Sequence, residues 1–326
     1  MRLDDDSVPQ PAAGEVLVRV TAVSLCGSDL HWFSEGGIGP ARVEEGPVTL
    51  GHEMAGIISS GDHRGQRVAI DPAIPCGVCE FCQQGNPNFC ERLRFAGDGT
   101  TDGGLREYIV WPERCLYPLP DSIGDAEAAL LEALGIALHS ADLCHFRAAM
   151  RVGIFGCGPI GLLMVQMARL SGAVQIIATD RLPHRLEAAR AYGATHTFLS
   201  DGGGENEAVL GCTGGRGVDV AVEAAGENAA VETSIAACKP GGRVVLIGIP
   251  ADDRTVFNAS VARRKGLTIK ICRRMKHTYP RAIALVQSGL VDVRSLITHR
   301  YPLGQANEAF AQAEKRTGIK VVLEMK

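Results

Sequence analysis

At 326 residues the chain is long enough for about two domains of ~150 residues, each with a core of its own. Charged residues make up 21% and the net charge is −4, a balance that points to neither nucleic acid nor a membrane surface as partner. Eleven cysteines, four of them clustered, in a chain that opens without a secretory signal pattern argue for metal ligation in a cytoplasmic protein rather than for disulfides.

Residues 15–23 (EVLVRVTAV) alternate apolar and polar side chains, the pattern of a half-buried strand. Short β-like runs punctuated by glycine and proline follow at 54–59, 67–70 and 108–111, so the first part reads as an irregular all-β domain. Around 125–142 (DAEAALLEALGIALHSAD) the composition turns to alanine and leucine and predicts a helix leading into a second domain. From residue 152 strands and helices alternate: strands at 152–155, 175–179, 197–199, 218–223 and 243–249, helices at 160–170, 183–192 and 229–238. Such alternation predicts a parallel sheet with helices on both faces. Glycines at 202–204 and 214–217 mark loops, 267–271 a last strand and 280–289 a helix. The tail, 299–325, reads as turn, helix and strand, returning to the first domain.

Gly156, Gly158 and Gly161 give the spacing G-x-G-x-x-G between a strand and a helix. The first permits the tight turn, the second lets a pyrophosphate approach the backbone, and the third lets helix and strand pack closely. Pro159 and Ile160 complete the turn into a helix whose unpaired N–H groups and dipole favour phosphate. Asp180 ends the next strand, 19 residues after Gly161, where a carboxylate accepts from the adenosine ribose hydroxyls and repels a 2′-phosphate. That favours NAD over NADP, although Arg181 and Arg185 lie close by and weaken the preference. A tight turn in some other α/β protein is the plainer reading of the glycines, and Asp180 counts against it.

Cys76, Cys79, Cys82 and Cys90 stand at the spacing C-x2-C-x2-C-x7-C. Four thiolates from one loop suit tetrahedral zinc and leave no open position, so the set reads as a structural site. The spacing also fits iron–sulfur ligation. A second set is dispersed: Cys26 in SLCGSDLHW, His52 and Glu53 in LGHEMAG, and Glu132 in ALLEALG. Singly, each has an ordinary structural explanation, as a small buried residue, a hydrogen-bonded core histidine or the solvent side of a helix. Together, one soft ligand, one imidazole and carboxylates with room for water are the open set that a catalytic zinc needs.

CGSD at 26–29, GHE at 51–53, the four-cysteine lobe, Glu132 followed by ALGIALHSA, the GCGPIG turn and THRYPL at 298–303 occur in this order along one chain. In this the sequence resembles the zinc-dependent medium-chain dehydrogenase/reductase family, closest to its polyol (sorbitol and L-iditol type) branch, from about residue 15 to 323. The resemblance implies an α/β protein with a GroES-like irregular β catalytic domain, residues 1–145 completed by 281–326. Residues 146–280 would form a Rossmann, doubly wound parallel-sheet coenzyme domain. It also implies one catalytic and one structural zinc per chain, NAD as coenzyme, a small-molecule alcohol or polyol as substrate, and a homodimer or homotetramer.

By the same resemblance Cys26 and His52 would bind the catalytic zinc, with Glu53 a direct or water-separated ligand. Glu132 falls where many alcohol dehydrogenases of the family carry a second cysteine and polyol-type members carry glutamate. Ser28 would accept the substrate proton, His31 would carry it onward, and Asp29 would orient His52. Ile160, Asp180, Arg185 and the turn Ile247, Gly248, Ile249 match family contacts to NAD, and Arg273 or Arg274 would bind substrate hydroxyls or coenzyme. Trp32 stands where polyol dehydrogenases commonly have tyrosine, and Arg273 and Arg274 fall near the family's Arg-Tyr pair with a one-residue insertion. The substrate therefore stays open between a polyol or sugar acid, threonine and a simple secondary alcohol. A non-catalytic zinc- and nucleotide-binding protein is the remaining alternative, and the intact Cys26, Ser28, His52 and Glu53 argue against it.

Overall fold

In the computed structural model, which describes residues 1–39, 41–43 and 47–325, the alternating segment near the N-terminus is the strand Glu15–Ser24. Its Val16, Val18 and Val20 are buried while the residues between them are only partly covered. The strand pairs antiparallel with Glu53–Ile58, with Tyr108–Pro112 and, at its far end, with Lys320–Glu324. The sheet runs in the order Ile297–Pro302, Lys320–Glu324, Glu15–Ser24, Glu53–Ile58, Arg67–Ile70, Leu116–Pro118. The tail of the chain thus closes into the sheet that its beginning opens. Val18, Val20, Met54, Val68, Ile70 and Trp111 form the core of this unit. Each such side chain stabilises the fold by roughly 1.5–3 kcal/mol when fully buried. Trp111 satisfies its one polar atom by donating Nε1–H to the Asp71 carbonyl at 2.8 Å.

Two short helices interrupt these strands where the sequence reading saw only β structure: Gly27–Glu35 and Glu80–Gln83. The helix expected over 125–142 is two, Asp125–Ala129 and Leu131–Cys144. The break comes at Leu130, whose N–H tightens onto the Glu127 carbonyl three residues back (3.1 Å).

The chain divides into one unit of Met1–Gly135 with Lys276–Lys326 and a second of Ile136–Met275. Sequence reading set these divisions at 145 and 280. The first division falls inside the helix Leu131–Cys144, so no loop marks it.

The second unit is a six-stranded parallel sheet in the order His196–Leu199, Gln175–Asp180, Arg151–Phe155, Val218–Glu223, Cys238–Leu246, Thr268–Ile271. By chain position this is third, second, first, fourth, fifth, sixth, the doubly wound order, with its switch point between Arg151–Phe155 and Val218–Glu223. Strand runs such as VGIF at 152–155 are apolar and buried on both faces, as in a parallel sheet covered on both sides. The strand expected at 243–249 stops at Leu246, where the N–H groups of Ile247 (2.9 Å) and Gly248 (3.3 Å) converge on the single carbonyl of Glu223. Helices Glu205–Cys212 and Ala259–Lys265 escaped the sequence reading because glycine turns and polar residues crowd their ends. Among the described residues no helix is long and apolar enough to cross a membrane.

Candidate active site

Strand pairing builds the first site. Glu53 opens the strand Glu53–Ile58 and lies opposite Ser24 in the register with Glu15–Ser24, two residues before Cys26. His52 immediately precedes that strand, and Cys26 immediately precedes the helix Gly27–Glu35. The ligand atoms of Cys26, His52 and Glu53 all lie within 4.8 Å of one another. His52 and Glu53 are buried, whereas Cys26 is partly exposed, so the cluster has one open side.

Asp29, fully buried, ties the two ligand-bearing segments together. Its Oδ2 accepts the Cys26 N–H at 2.9 Å, and its Oδ1 accepts the Gly51 N–H at 3.2 Å and stands 3.3 Å from His52 Nδ1. That arrangement commits Nδ1 and leaves Nε2 as the nitrogen that could hold a metal. Burial opposes charge on His52, but the Asp29 carboxylate and the Cys26 sulfur outweigh it and push the imidazole well above its ordinary range. Burial likewise opposes charge on Asp29, yet the His52 partnership and the Cys26 N–H hold its carboxyl below the usual range. Metal binding at this imidazole would therefore have to displace a proton. Asp29→Asn is expected to weaken zinc binding about 10- to 100-fold, the cost typical of losing such an orienting group. Competition with a chromogenic chelator measures this directly.

Lys320 was not foreseen from sequence. It is 3% exposed, its Nζ stands 2.7 Å from both Glu53 carboxylate oxygens, and it donates to Glu53 Oε1 and to the Leu25 carbonyl (2.8 Å). Burial opposes its charge, but the Glu53 carboxylate prevails and raises it above the ordinary lysine range. The only signal in the sequence is a lone charge opening an apolar run, KVVLE. Glu53 Oε2 is buried and meets Lys320 as an ion pair at 2.7 Å without a well-aligned hydrogen bond. A buried carboxylate beside a sulfur and an imidazole is a donor set for a divalent cation, and the residues fit zinc.

Glu132, in the first turn of Leu131–Cys144, is 5% exposed but is not one of the three residues that close to within 4.8 Å. Burial pushes its carboxyl up to about 7, with Glu53 adding to the effect and His52 and Lys320 opposing it. Ser28 and His31 share the helix Gly27–Glu35 at a three-residue spacing that places them on one face. His31 Nδ1 lies 3.0 Å from Glu35 Oε1 one turn further on.

The Sγ atoms of Cys76, Cys79, Cys82 and Cys90 also gather within 4.8 Å. The Cys76 N–H points at Cys90 Sγ (3.2 Å) and the Cys79 N–H at Cys76 Sγ (3.4 Å). Backbone donation at Val78 lowers the Cys76 thiol to about 6, whereas desolvation, then Cys79, pushes Cys82 up to about 12. Four sulfurs gathered so closely suit a single shared cation. All eleven cysteines are free, and burial pushes up the thiols of Cys115, Cys144, Cys157 and Cys238, which makes them poor ligands and nucleophiles.

In the second unit the glycines behave as their spacing requires. Gly156 has φ +99°, and a Cβ there would stand 2.7 Å from the Ala225 nitrogen; one at Gly161 would collide with the Gly156 carbonyl oxygen. Gly158 caps the helix Pro159–Leu170, and a Cβ on it would meet only Arg185 Nη1, at 3.8 Å, so the approach to the helix N-terminus is open. Asp180 accepts the Cys157 N–H (2.7 Å) on Oδ2 and the Leu182 N–H (2.8 Å) on Oδ1. Each carboxylate oxygen keeps a second lone pair, a match for two vicinal ribose hydroxyls. Residues 247–249 form the loop after Cys238–Leu246, with Ile249 exposed, and Arg273 is exposed in the loop after Thr268–Ile271. Glu223 was also missed: its buried Oε1 accepts the N–H groups of Ala225 and Gly226, each at 2.7 Å, and fixes the turn against which Gly156 packs.

Fold and site together define a class of enzyme, dehydrogenases that join a metal-binding β unit to a sheet that holds a nicotinamide coenzyme. Residues 12–121 match the family profile described as "Alcohol dehydrogenase GroES-like domain", and residues 159–288 match "Zinc-binding dehydrogenase". The sorbitol dehydrogenase of Bacillus subtilis (strain 168) is 37% identical over 319 residues, 96% of this chain and 90% of its own length. D-xylulose reductase A of Aspergillus oryzae is 36% identical, covering 99% and 93%. A zinc-binding dehydrogenase from Sinorhizobium meliloti 1021, solved bound to NADP, superposes with a TM-score of 0.89 at 31% identity, covering 98% of this chain and 94% of that one. The chain belongs to the zinc-binding dehydrogenases and is an oxidoreductase that uses zinc and a nicotinamide coenzyme.

Proposed function

We propose that the protein interconverts a secondary alcohol of a polyol or sugar acid and the corresponding ketone, with NAD as the hydride carrier. The observation that carries this reading is the convergence of Cys26, His52 and Glu53, which gathers a sulfur, an imidazole and a buried carboxylate within 4.8 Å. Relatives that act on sorbitol and D-xylulose support the substrate class, as does a buried carboxylate at Glu132, which fits a site for polar, hydroxylated ligands. Bound zinc would supply a Lewis acid for the substrate oxygen, and bound NAD would accept the hydride.

The chain's own residues do the rest. Asp29 fixes the His52 tautomer. Lys320 lies against both Glu53 oxygens and fixes the carboxylate beside Cys26 and His52. Ser28 would take the substrate hydroxyl proton and His31 would carry it toward Glu35 and solvent, along one helix face. The four-cysteine lobe would hold a second, structural zinc. Gly156, Gly158, Pro159, Ile160 and Gly161 would hold the pyrophosphate and Asp180 the adenosine ribose, with Arg185, residues 247–249 and Arg273 as further coenzyme contacts. The exposed edge strand Thr268–Ile271, whose Ile271 is 76% exposed, supports pairing between copies in a homodimer or homotetramer. Cytoplasmic residence suits its free thiols.

Metal analysis combined with NAD reduction across sorbitol, xylitol, galactitol, L-idonate, threonine and 2-butanol tests this. About two zinc per chain is expected from the two ligand clusters, with turnover on a polyol or sugar acid that a chelator abolishes. Turnover confined to threonine or 2-butanol would overturn the substrate class.

A further inference from the structure

Gln175–Asp180 and Val218–Glu223 flank the strand that carries the glycine turn, one on each side. Arg181 follows the first of these strands and Glu227 follows the second. Their side chains meet in a two-pronged pair, Nη1 at 3.0 Å from Oε1 and Nη2 at 2.5 Å from Oε2. The guanidinium therefore leans across the end of the central strand to a carboxylate on the far flank, with both terminal nitrogens engaged. Arg181 directly follows Asp180, whose carboxylate is fixed by the Cys157 and Leu182 N–H groups. An arginine beside that position is what accommodates the 2′-phosphate of NADP, and its planar fork suits a phosphate as well as a carboxylate. Arg185 is placed differently, with Nη1 facing Gly158 in the glycine turn.

We propose that Glu227 is a coenzyme-specificity residue: by occupying Arg181 it denies the 2′-phosphate its partner, so the chain carries a latent NADP site inside an NAD-preferring one. The inference rests on the coenzyme assignment proposed above. The pair is largely solvent-exposed, 62% at Arg181 and 40% at Glu227, so it is a weak restraint and the discrimination it gives is modest.

Titration of the zinc-loaded full chain with NADH and with NADPH, followed by coenzyme fluorescence, reads the ratio without any substrate. Glu227 is the residue capping the helix Asn228–Ala237, and its side chain makes no capping hydrogen bond. Glu227→Ser therefore supplies a better cap and keeps the fold, and Glu227→Gln serves as a second variant. Both are expected to tighten NADPH binding about two- to fivefold, the range set by a surface ion pair and a phosphate competing for one guanidinium, with NADH not tightening. Adding Arg181→Ser should abolish the gain. An unchanged NADPH-to-NADH ratio in both Glu227 variants overturns the proposal and leaves the coenzyme assignment standing, as does a gain that survives Arg181→Ser. Failure of the unaltered chain to bind either dinucleotide removes both together.

Discussion

Cys26→Ser is expected to abolish turnover while leaving NADH binding within about twofold of the unaltered chain. Cys26 supplies the only sulfur in a cluster whose other ligand atoms are an imidazole nitrogen and a carboxylate oxygen. A serine hydroxyl stays protonated at neutral pH and is a poor zinc ligand, so the site loses one of three protein ligands and most of its affinity. Lewis-acid stabilisation is worth several kcal/mol of barrier, and each 1.36 kcal/mol is tenfold in rate, so the loss in kcat is on the order of 10³-fold or more. The backbone should tolerate the change, because Asp29 binds the Cys26 N–H, which the substitution keeps, and serine is a good residue at a helix N-cap. Coenzyme binding persists because Gly156, Gly158, Gly161 and Asp180 all lie in the other unit. Zinc content falling by about one per chain, measured alongside the kinetics, separates metal loss from misfolding. Wild-type turnover in the variant after exhaustive chelation would eliminate the metal mechanism.

What could be read from the sequence was what is local in the chain. The four cysteines lie within fifteen residues, and the glycines lie within six, so spacing alone placed them. Period-two alternation likewise gave Glu15–Ser24, and the alternation of strands with helices gave the parallel sheet. Cys26 is far in sequence from the adjacent His52 and Glu53, and only donor type and the family resemblance tied them; their convergence depends on the register between Glu15–Ser24 and Glu53–Ile58. Two buried charges stayed invisible for the same reason. Glu223 looks like the polar end of a strand, and its work is done by backbone N–H groups that carry no sequence signature. Lys320 reads as a solvated residue at the head of the last strand until that strand is placed beside the first. Helix breaks were equally hidden: nothing about the leucine at 130 announces that the turn there tightens. The Arg181–Glu227 contact joins two loops that neighbour one another only through the strand order.

Lys320→Met should pull stability and metal retention in opposite directions. Lys320 and Glu53 are both almost fully enclosed, and the lysine lies against both carboxylate oxygens and the Leu25 carbonyl. Removing one partner of such a pair strands a buried charge, which costs about 3–5 kcal/mol. For a unit of this size that corresponds to a fall on the order of 10 °C in the first thermal transition of metal-free protein, read by calorimetry. Combining Lys320→Met with Glu53→Gln removes both charges and should recover a large part of the loss, because a buried pair contributes far less as a whole than its halves cost when separated. In the zinc-loaded protein the stranded carboxylate has one remedy, which is to hand both oxygens to the metal. Zinc should then be retained more tightly against a chelator in Lys320→Met than in the unaltered chain, while kcat falls because the open coordination position is filled. A variant that loses stability and zinc together would mean that Lys320 only supports the fold. Opposite shifts would mean that the last strand of the chain sets how far Glu53 engages the metal.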